Sequence, residues 1–400
     1  MSDRMPNTDT NGEKTASAVW RAGAHVPQLD GVRGLAIVLV TLYRFSREIP
    51  TDSLIGQALN SLSKLGTHGV ELFFVLSGFL ITGILLQAKG AENYFSSFLA
   101  RRALRIFPLY FSSLALMLWV FYPGKDGCFL QASQNQFYLW TYLVNFKMAI
   151  ENSWCFGPLD HFWSLAVEEH FYIFWPLVVY FLTPLHALRL AVLLIGVSAM
   201  SRIGFAVISD NGVAPDVLTF FRCDSLLIGS ALAMLIRRPA AVSTLQKLAI
   251  PLMVVSGSLL VVLSIIGLRA FTIGLTLWPL FWVSVIFTLL QTTADSRWAK
   301  FFNLSWLRTC GKYSYAMYVF QLPLIPLVAG VVSVAAIDIW VGNELISNLI
   351  YVGIMFGLTY GAALLSWHVL EKHCLALKKY FPTQVRRRHD VPLATLEGGR

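Results

Sequence analysis

Arg33-Gly34-Leu35-Ala36-Ile37-Val38-Leu39-Val40-Thr41-Leu42-Tyr43-Arg44 places two guanidinium groups at the ends of an almost wholly apolar run. Read as a helix, eleven residues make nearly three turns, so both arginines project from one face, about 16 Å apart along the axis. If the helix crosses a bilayer with Arg33 at one surface, Arg44 falls near the middle of the hydrocarbon. An arginine there costs about 3 kcal/mol on insertion scales, and its default reading is a functional site. The alternative is that Arg44 ends a short span and snorkels outward, since Ser46, Arg47, Glu48 and Pro50 follow at once.

The rest of the chain supports a membrane setting. Of 400 residues, 56% are hydrophobic and only 13% charged, about half the usual charged share of a soluble domain. Twelve Trp, 14 Tyr and 28 Phe suit a protein that faces lipid and anchors at its interfaces. Residues 1–26 are polar and lack the apolar core of a signal peptide. They read as a disordered tail, as do residues 381–400 with the basic run Arg386-Arg387-Arg388. Residues 27–380 then form one integral-membrane domain.

A span needs about 20 apolar residues. The hydropathy pattern predicts about ten, near 29–46, 69–87, 103–122, 161–182, 188–208, 216–236, 249–268, 271–291, 313–333 and 346–369. The expected fold is therefore all-α and polytopic. An even count puts both termini on one side. That assignment gives 23 of the 31 Lys and Arg to the same side, which the positive-inside rule makes cytoplasmic. The net charge of +9 is thereby accounted for by topology, without a nucleic-acid partner. The partner it does imply is the lipid bilayer, with the chain a multi-pass protein of the cell membrane.

Cys128 and Cys155 share the largest expected outer loop, 123–159. In an oxidising compartment a disulfide would pin that loop; two unrelated thiols are the alternative. Cys223, Cys310 and Cys374 have no metal-ligand spacing, so no metal is expected.

Polar groups inside the spans carry the functional argument. On a helix His161, Ser164, Glu168 and Tyr172 share one face, while Glu169 and His170 are rotated by roughly 100° and 200° from Glu168. A carboxylate beside imidazole and hydroxyl groups suits proton transfer; the competing reading is a carboxylate that pairs a buried arginine and only holds helices together. Arg102 and Arg105, at i and i+3, are spaced to clamp a phosphate, or else serve as ordinary positive-inside anchors with Arg101. Arg222 and Asp224 are too close in sequence to face each other on a helix, so each needs a partner elsewhere. With Arg202 and Glu71 they imply an internal polar cavity, because charged groups avoid lipid.

Taken in order, the motifs resemble the integral-membrane acyltransferase family 3. Leu29-Asp30-Gly31-Val32-Arg33-Gly34 is similar to its opening LDGxRG, and Gly69-Val-Glu-Leu-Phe-Phe-Val-Leu-Ser-Gly-Phe-Leu-Ile81 to its second-span signature. Arg101-Arg-Ala-Leu-Arg-Ile-Phe-Pro-Leu-Tyr110 resembles RRxxRIxPxY. Trp163-Ser-Leu-Ala-Val-Glu168-Glu169, Arg222/Asp224, Gly311-Lys-Tyr-Ser314-Tyr315 and Glu371 before Lys378 complete the series. The resemblance runs from about Gln28 to Lys379.

What the resemblance implies is transfer of an acyl group, expected to be acetyl, from cytoplasmic acyl-CoA to a hydroxyl of a glycan or lipid-linked saccharide. Acyl-CoA is a co-substrate, and no tightly bound cofactor is implied. Arg33 takes the place of the arginine in the family's R-x10-H motif. Arg101, Arg102, Arg105 and Tyr110 fall where donor contacts are expected, and Glu168 or Glu169 matches the carboxylate of WSLxxE. Arg44, Glu168, Glu169 and His161 join Arg33 as candidates for the chemistry; Glu71, Arg202, Arg222, Asp224, Ser314 and Tyr315 are candidates for lining the cavity.

The sequence departs from the family pattern at Arg44, which stands where R-x10-H ends in histidine, and at Gln321, His170 and His373. Arginine cannot act as a base at physiological pH, so His161, His68 or Glu168 would have to supply it. A degenerate member that binds or moves an acylated substrate without ordinary turnover is the alternative. A secondary transporter would also use buried ion pairs, but no repeat of one half in the other is evident.

Overall fold

The computed structural model describes residues 26–47, 49–50, 52–121, 129–265 and 273–384. Among these every regular element is helical. The expected tails, Cys128 and the joint between the seventh and eighth expected spans lie wholly or largely outside the described residues.

Eleven helices carry the architecture: α1 (Pro27–Phe45), α2 (Leu54–Lys64), α3 (Gly69–Ala88), α4 (Tyr94–Ala115), α5 (Phe162–Phe181), α6 (Pro184–Ile208), α7 (Thr219–Leu235), α8 (Pro239–Ile265), α9 (Gly274–Gln291), α10 (Ser305–Val328) and α11 (Glu344–Ser366). Their ends follow local chemistry. Pro27 starts α1, Asp30 lies in its first turn and Arg44 in its last, the charge order that the helix dipole favours. Ser53, Thr183, Ser333 and Asn343 accept backbone N–H groups at the starts of α2, α6, a short helix Val334–Val341 and α11.

Among the described residues, seven helical segments are long and apolar enough to cross a membrane: Leu54–Ala88, Tyr94–Phe121, Pro184–Ile208, Ala214–Leu235, Pro239–Ser264, Gly274–Gln291 and Glu344–Tyr380. The expected number was about ten. The three remaining predicted spans coincide with α1, α5 and α10, of 19, 20 and 24 residues. Length is not what separates them. Asp30, Arg33 and Arg44 in α1, Glu168, Glu169 and His170 in α5, and Arg308 and Lys312 in α10 make them too polar.

These polar helices belong to the interior of the bundle. α1 packs chiefly on α10, α3 on α7, and α7 also on α6 and α9. Conversely α6 and α8 expose Val192, Leu193, Met200, Val254, Val255 and Val261, as lipid-facing helices do. The α1–α10 crossing depends on glycine. A Cβ on Gly34 would lie 1.9 Å from the Leu307 carbonyl oxygen, and one on Gly311 1.8 Å from that of Asp30. The sides of a polar cleft are thus held at backbone contact distance.

Candidate active site

Between α1, α3, α4, α5 and α10 lies a narrow cavity of about 110 Å³, walled by Arg33, Ser77, Arg102, Arg105, Glu168, Glu169, Tyr172, Ser314, Tyr315 and Tyr318 among apolar residues of α3. A wider hollow of about 510 Å³ shares Arg33, Arg105 and Tyr315 with it, and adds Asp30, Arg308, Lys312, Trp367 and Glu371. The wide hollow sits where α1 and α10 begin and α11 ends, on the lysine- and arginine-rich side. Together they form a cleft that narrows from a basic mouth into the bundle.

At the narrow end, α5 presents its acidic face. Tyr172 Oη donates to Glu168 Oε2 at 2.9 Å and lies 2.6 Å from Ser77 Oγ on α3. Ser164 Oγ is 2.6 Å from Tyr318 Oη, which also donates to the His161 carbonyl at 3.0 Å. Glu169 lies beside Glu168 with Oε1 buried and unpartnered among the described residues. Arg33, Arg102 and Arg105 line the same cavity as these two carboxylates. Arg33 is drawn to Asp30 at 3.5 Å, whereas no described salt bridge holds Arg102 or Arg105. At the mouth, the Lys312 ammonium lies 4.7 Å from the centre of the Trp367 ring. Such a site offers a proton acceptor next to a surplus of positive donors, an arrangement able to deprotonate a hydroxyl and hold an anionic partner.

The structure thus brings together Arg33, Arg102, Arg105, Glu168, Glu169, Ser314 and Tyr315. It places other expected site residues elsewhere. Glu71 and Arg222 meet at 2.7 Å, and Arg202 and Asp224 at 2.9 Å, so these four form buried ion pairs and do not line the cavity. Their need to neutralise charge inside the bundle is met across helices: α3 with α7 and α6 with α7. Arg202 also donates to Thr276 and the Phe221 carbonyl. Tyr110 does not reach the donor end; it donates to the Leu139 carbonyl at 2.7 Å and stacks on Tyr142. Arg101 is exposed outside both hollows. His161 is fully buried one turn before Ser164, behind Tyr318, with Nε2 3.3 Å from the Val319 carbonyl. His68 stacks on Trp278, away from the cavity. Arg44 lies in the last turn of α1, at the end of that helix opposite the basic mouth, with Tyr43 between it and Arg47.

Near Arg44, outside the helices, burial pushes the Asp160 carboxyl up to about 6, against the pull of the Phe156 N–H, Arg44 and Arg47. Asp160 Oδ1 accepts the Phe156 N–H at 2.8 Å.

Ser77, Tyr318, Arg308, Lys312 and Trp367 were not singled out from sequence. For the α10 set a signal existed: Arg308, Lys312, Tyr315 and Tyr318 recur at spacings of four and three, one face of a helix. Ser77 gave only a weak one, a lone hydroxyl in an apolar stretch. Among the described residues no group of three or more His, Cys, Asp and Glu is placed to hold a metal.

Comparison with known proteins gives the family. The chain is 28% identical to the peptidoglycan O-acetyltransferase OatA of Listeria monocytogenes over 339 residues, 79% of this chain and 52% of that protein. It is 26% identical to the O-acetyltransferase OatA of Staphylococcus aureus over 332 residues, 76% of this chain and 51% of that protein. The chain therefore spans about half the length of the curated relatives it matches. No solved structure matches. The acyltransferase domain of acyltransferase family 3 matches residues 26–368, and on that match the chain belongs to this family.

Proposed function

We propose that the protein is a membrane-bound O-acyltransferase that moves an acyl group, acetyl in the first instance, from cytoplasmic acyl-CoA to a hydroxyl of a glycan or lipid-linked saccharide. The observation that carries this reading is the single cleft joining a basic mouth to Glu168 and its Tyr172–Ser77 hydrogen-bond chain. The names of the relatives, O-acetyltransferases of peptidoglycan in one case, point the same way.

In this reading both termini are cytoplasmic, and the donor enters at the wide hollow. Arg105, Arg308 and Lys312 meet its phosphates, with the thioester directed inward past Arg33 and Tyr315. Glu168 takes the proton of the acceptor hydroxyl, whose oxygen attacks the thioester carbonyl. The tetrahedral oxyanion forms among the arginine donors, the C–S bond breaks, and the CoA thiolate leaves. Glu168 is the base because it lines the cavity, whereas His161 is sealed behind Tyr318 and His68 lies against Trp278. The test is transfer itself. Purified protein in nanodiscs, given labelled acetyl-CoA and a saccharide acceptor, should release CoA and label the acceptor. Absence of donor binding, together with substrate flux in proteoliposomes, would overturn the enzyme reading in favour of transport.

A further inference from the structure

The end of α1 opposite the basic mouth carries a second polar cluster that proton transfer at Glu168 leaves unused. Thr41 and Arg44 share a face of α1, one turn apart; Tyr318 and Gln321 share a face of α10 in the same way. The two faces meet, with Thr41 Oγ1 donating to Gln321 Oε1 at 3.4 Å. Gln321 and His161 are fully buried and Arg44 is partly so. Arg44 Nε, Gln321 Nε2 and His161 Nδ1 are all buried without a hydrogen-bond partner among the described residues. Tyr318, in contact with Ser164, lines the cavity, and its ring lies 5.2 Å from that of His161, so it borders both.

The end of a helix favours a cation, which alone would account for an arginine at position 44. It does not account for a neighbouring buried amide whose N–H groups are unmet, a costly state inside a protein. Arginine has no acceptor atom, and here the free atom of Gln321 is its donor nitrogen. Asp160, near Arg44, spends Oδ1 on the Phe156 N–H, so an occupant completing this site must supply oxygen acceptors, and the Arg44 cation favours an anionic one.

We propose that Arg44 and Gln321 bind an anionic group, a carboxylate or a phosphate, carried by the acceptor, and thereby position its hydroxyl beside Tyr318 for transfer at Glu168. The proposal rests on the acyl-transfer reading for its purpose, but its test does not require turnover.

Equilibrium dialysis of nanodisc-embedded protein would compare labelled N-acetylglucosamine, N-acetylmuramic acid, which adds a carboxylate, and N-acetylglucosamine 1-phosphate. At least one anionic sugar should bind tenfold or more tightly than the neutral one; which of the two does so tells carboxylate from phosphate. Arg44→Gln and Gln321→Leu should each reduce that preference several-fold, while Arg44→Lys retains part of it. Should Arg44→Gln fail to fold, the Arg44→Lys and Gln321→Leu pair still decides. Equal binding of all three sugars, binding of none, or a preference that survives Gln321→Leu and Arg44→Gln overturns the site. If the anionic preference depends on Arg44 while acetyl-CoA is neither bound nor consumed, the anion site stands and the acyltransferase reading falls.

Discussion

Tyr172 Oη donates to Glu168 Oε2 across one turn of α5, at 2.9 Å, while Ser77 Oγ of α3 lies 2.6 Å from the same phenol oxygen. The carboxylate is therefore fixed by two helices, and its other oxygen remains for a substrate. Glu168→Gln preserves shape and the Tyr172 contact but removes the base, so acetyl transfer should fall by about 10²–10⁴-fold. Tyr172→Phe loses only the orienting bond and should cost far less. If Glu169→Gln proves the crippling change and Glu168→Gln the mild one, the roles of the two carboxylates are reversed. Single-turnover rates with labelled acetyl-CoA make the comparison.

Arg105 borders both the narrow cavity and the wide hollow, whereas Arg101, one turn earlier in α4, is exposed outside them. A charged hydrogen bond lost to a donor phosphate is worth about 1.5–3 kcal/mol, or about a tenfold to hundredfold rise in apparent KM. Arg105→Ala should show that rise for acetyl-CoA with little change for the acceptor. Arg101→Ala should change KM by less than about threefold, since a surface cation acts only at long range. Equal effects would place the donor across the exposed face of α4.

How much of this was legible beforehand can be traced residue by residue. Arg33 and Glu168 stood out because a charge inside an apolar helix demands a partner or a cavity, and Arg105 by its i, i+3 spacing from Arg102. Tyr110 misled because the motif containing it is continuous in sequence, while the helix turns it away from Arg102 and Arg105 towards Tyr142. Asp224 and Arg222 could be read as needing partners, but not which ones. Arg202 and Glu71 lie 22 and 151 residues from theirs, and only the packing of α3, α6 and α7 selects them. Three of the expected spans are less apolar than the other seven for a related reason: α1, α5 and α10 hold the site, and holding it makes them polar.

The close approach of α1 and α10 should tolerate no side chain. A Cβ at Gly34 or Gly311 would lie less than 2 Å from a carbonyl oxygen of the facing helix, so the backbones must part. Gly34→Ala and Gly311→Ala should each lower the yield of monodisperse protein and the Tm in detergent. Gly196 in α6 supplies the comparison, because a Cβ there meets nothing within 4 Å. Gly196→Ala should be neutral or stabilise by about 0.5–1 kcal/mol, alanine being the better helix former. Tolerance of alanine at position 34 would mean that the cleft walls are looser than this packing.

Asp160 gives a pH signature outside the spans. Burial pushes its carboxyl up to about 6 in the fold, against roughly 4 in an unfolded chain. Between those values the unfolded chain has already released the proton that the fold retains. The stability contributed by protonated Asp160 is thus complete below about pH 4, declines as pH rises to about 6, and changes no further above that. Asp160→Asn removes the group, so the variant should lose less Tm than the parent between pH 4 and pH 6. Parallel Tm profiles would show that this carboxyl titrates normally.

The Glu71–Arg222 pair separates a scaffold from a substrate site. The Arg222 guanidinium lies 2.7 Å from Glu71 and within 6 Å of the Phe74 and Trp163 rings, with both ionic side chains almost fully buried. Removing one partner strands the other charge away from water, which destabilises by about 3–5 kcal/mol. Glu71→Gln and Arg222→Met should each lower the Tm sharply. The Glu71→Leu/Arg222→Met double variant should recover much of the loss, because apolar residues of similar volume can replace a buried pair. Whatever protein folds in each case should keep its KM for acetyl-CoA, since neither residue borders the cleft. A single variant of normal Tm with an altered KM would instead make Arg222 part of the substrate path, and only there would its Nε and Nη1 atoms, buried and unpartnered among the described residues, be donors to a ligand.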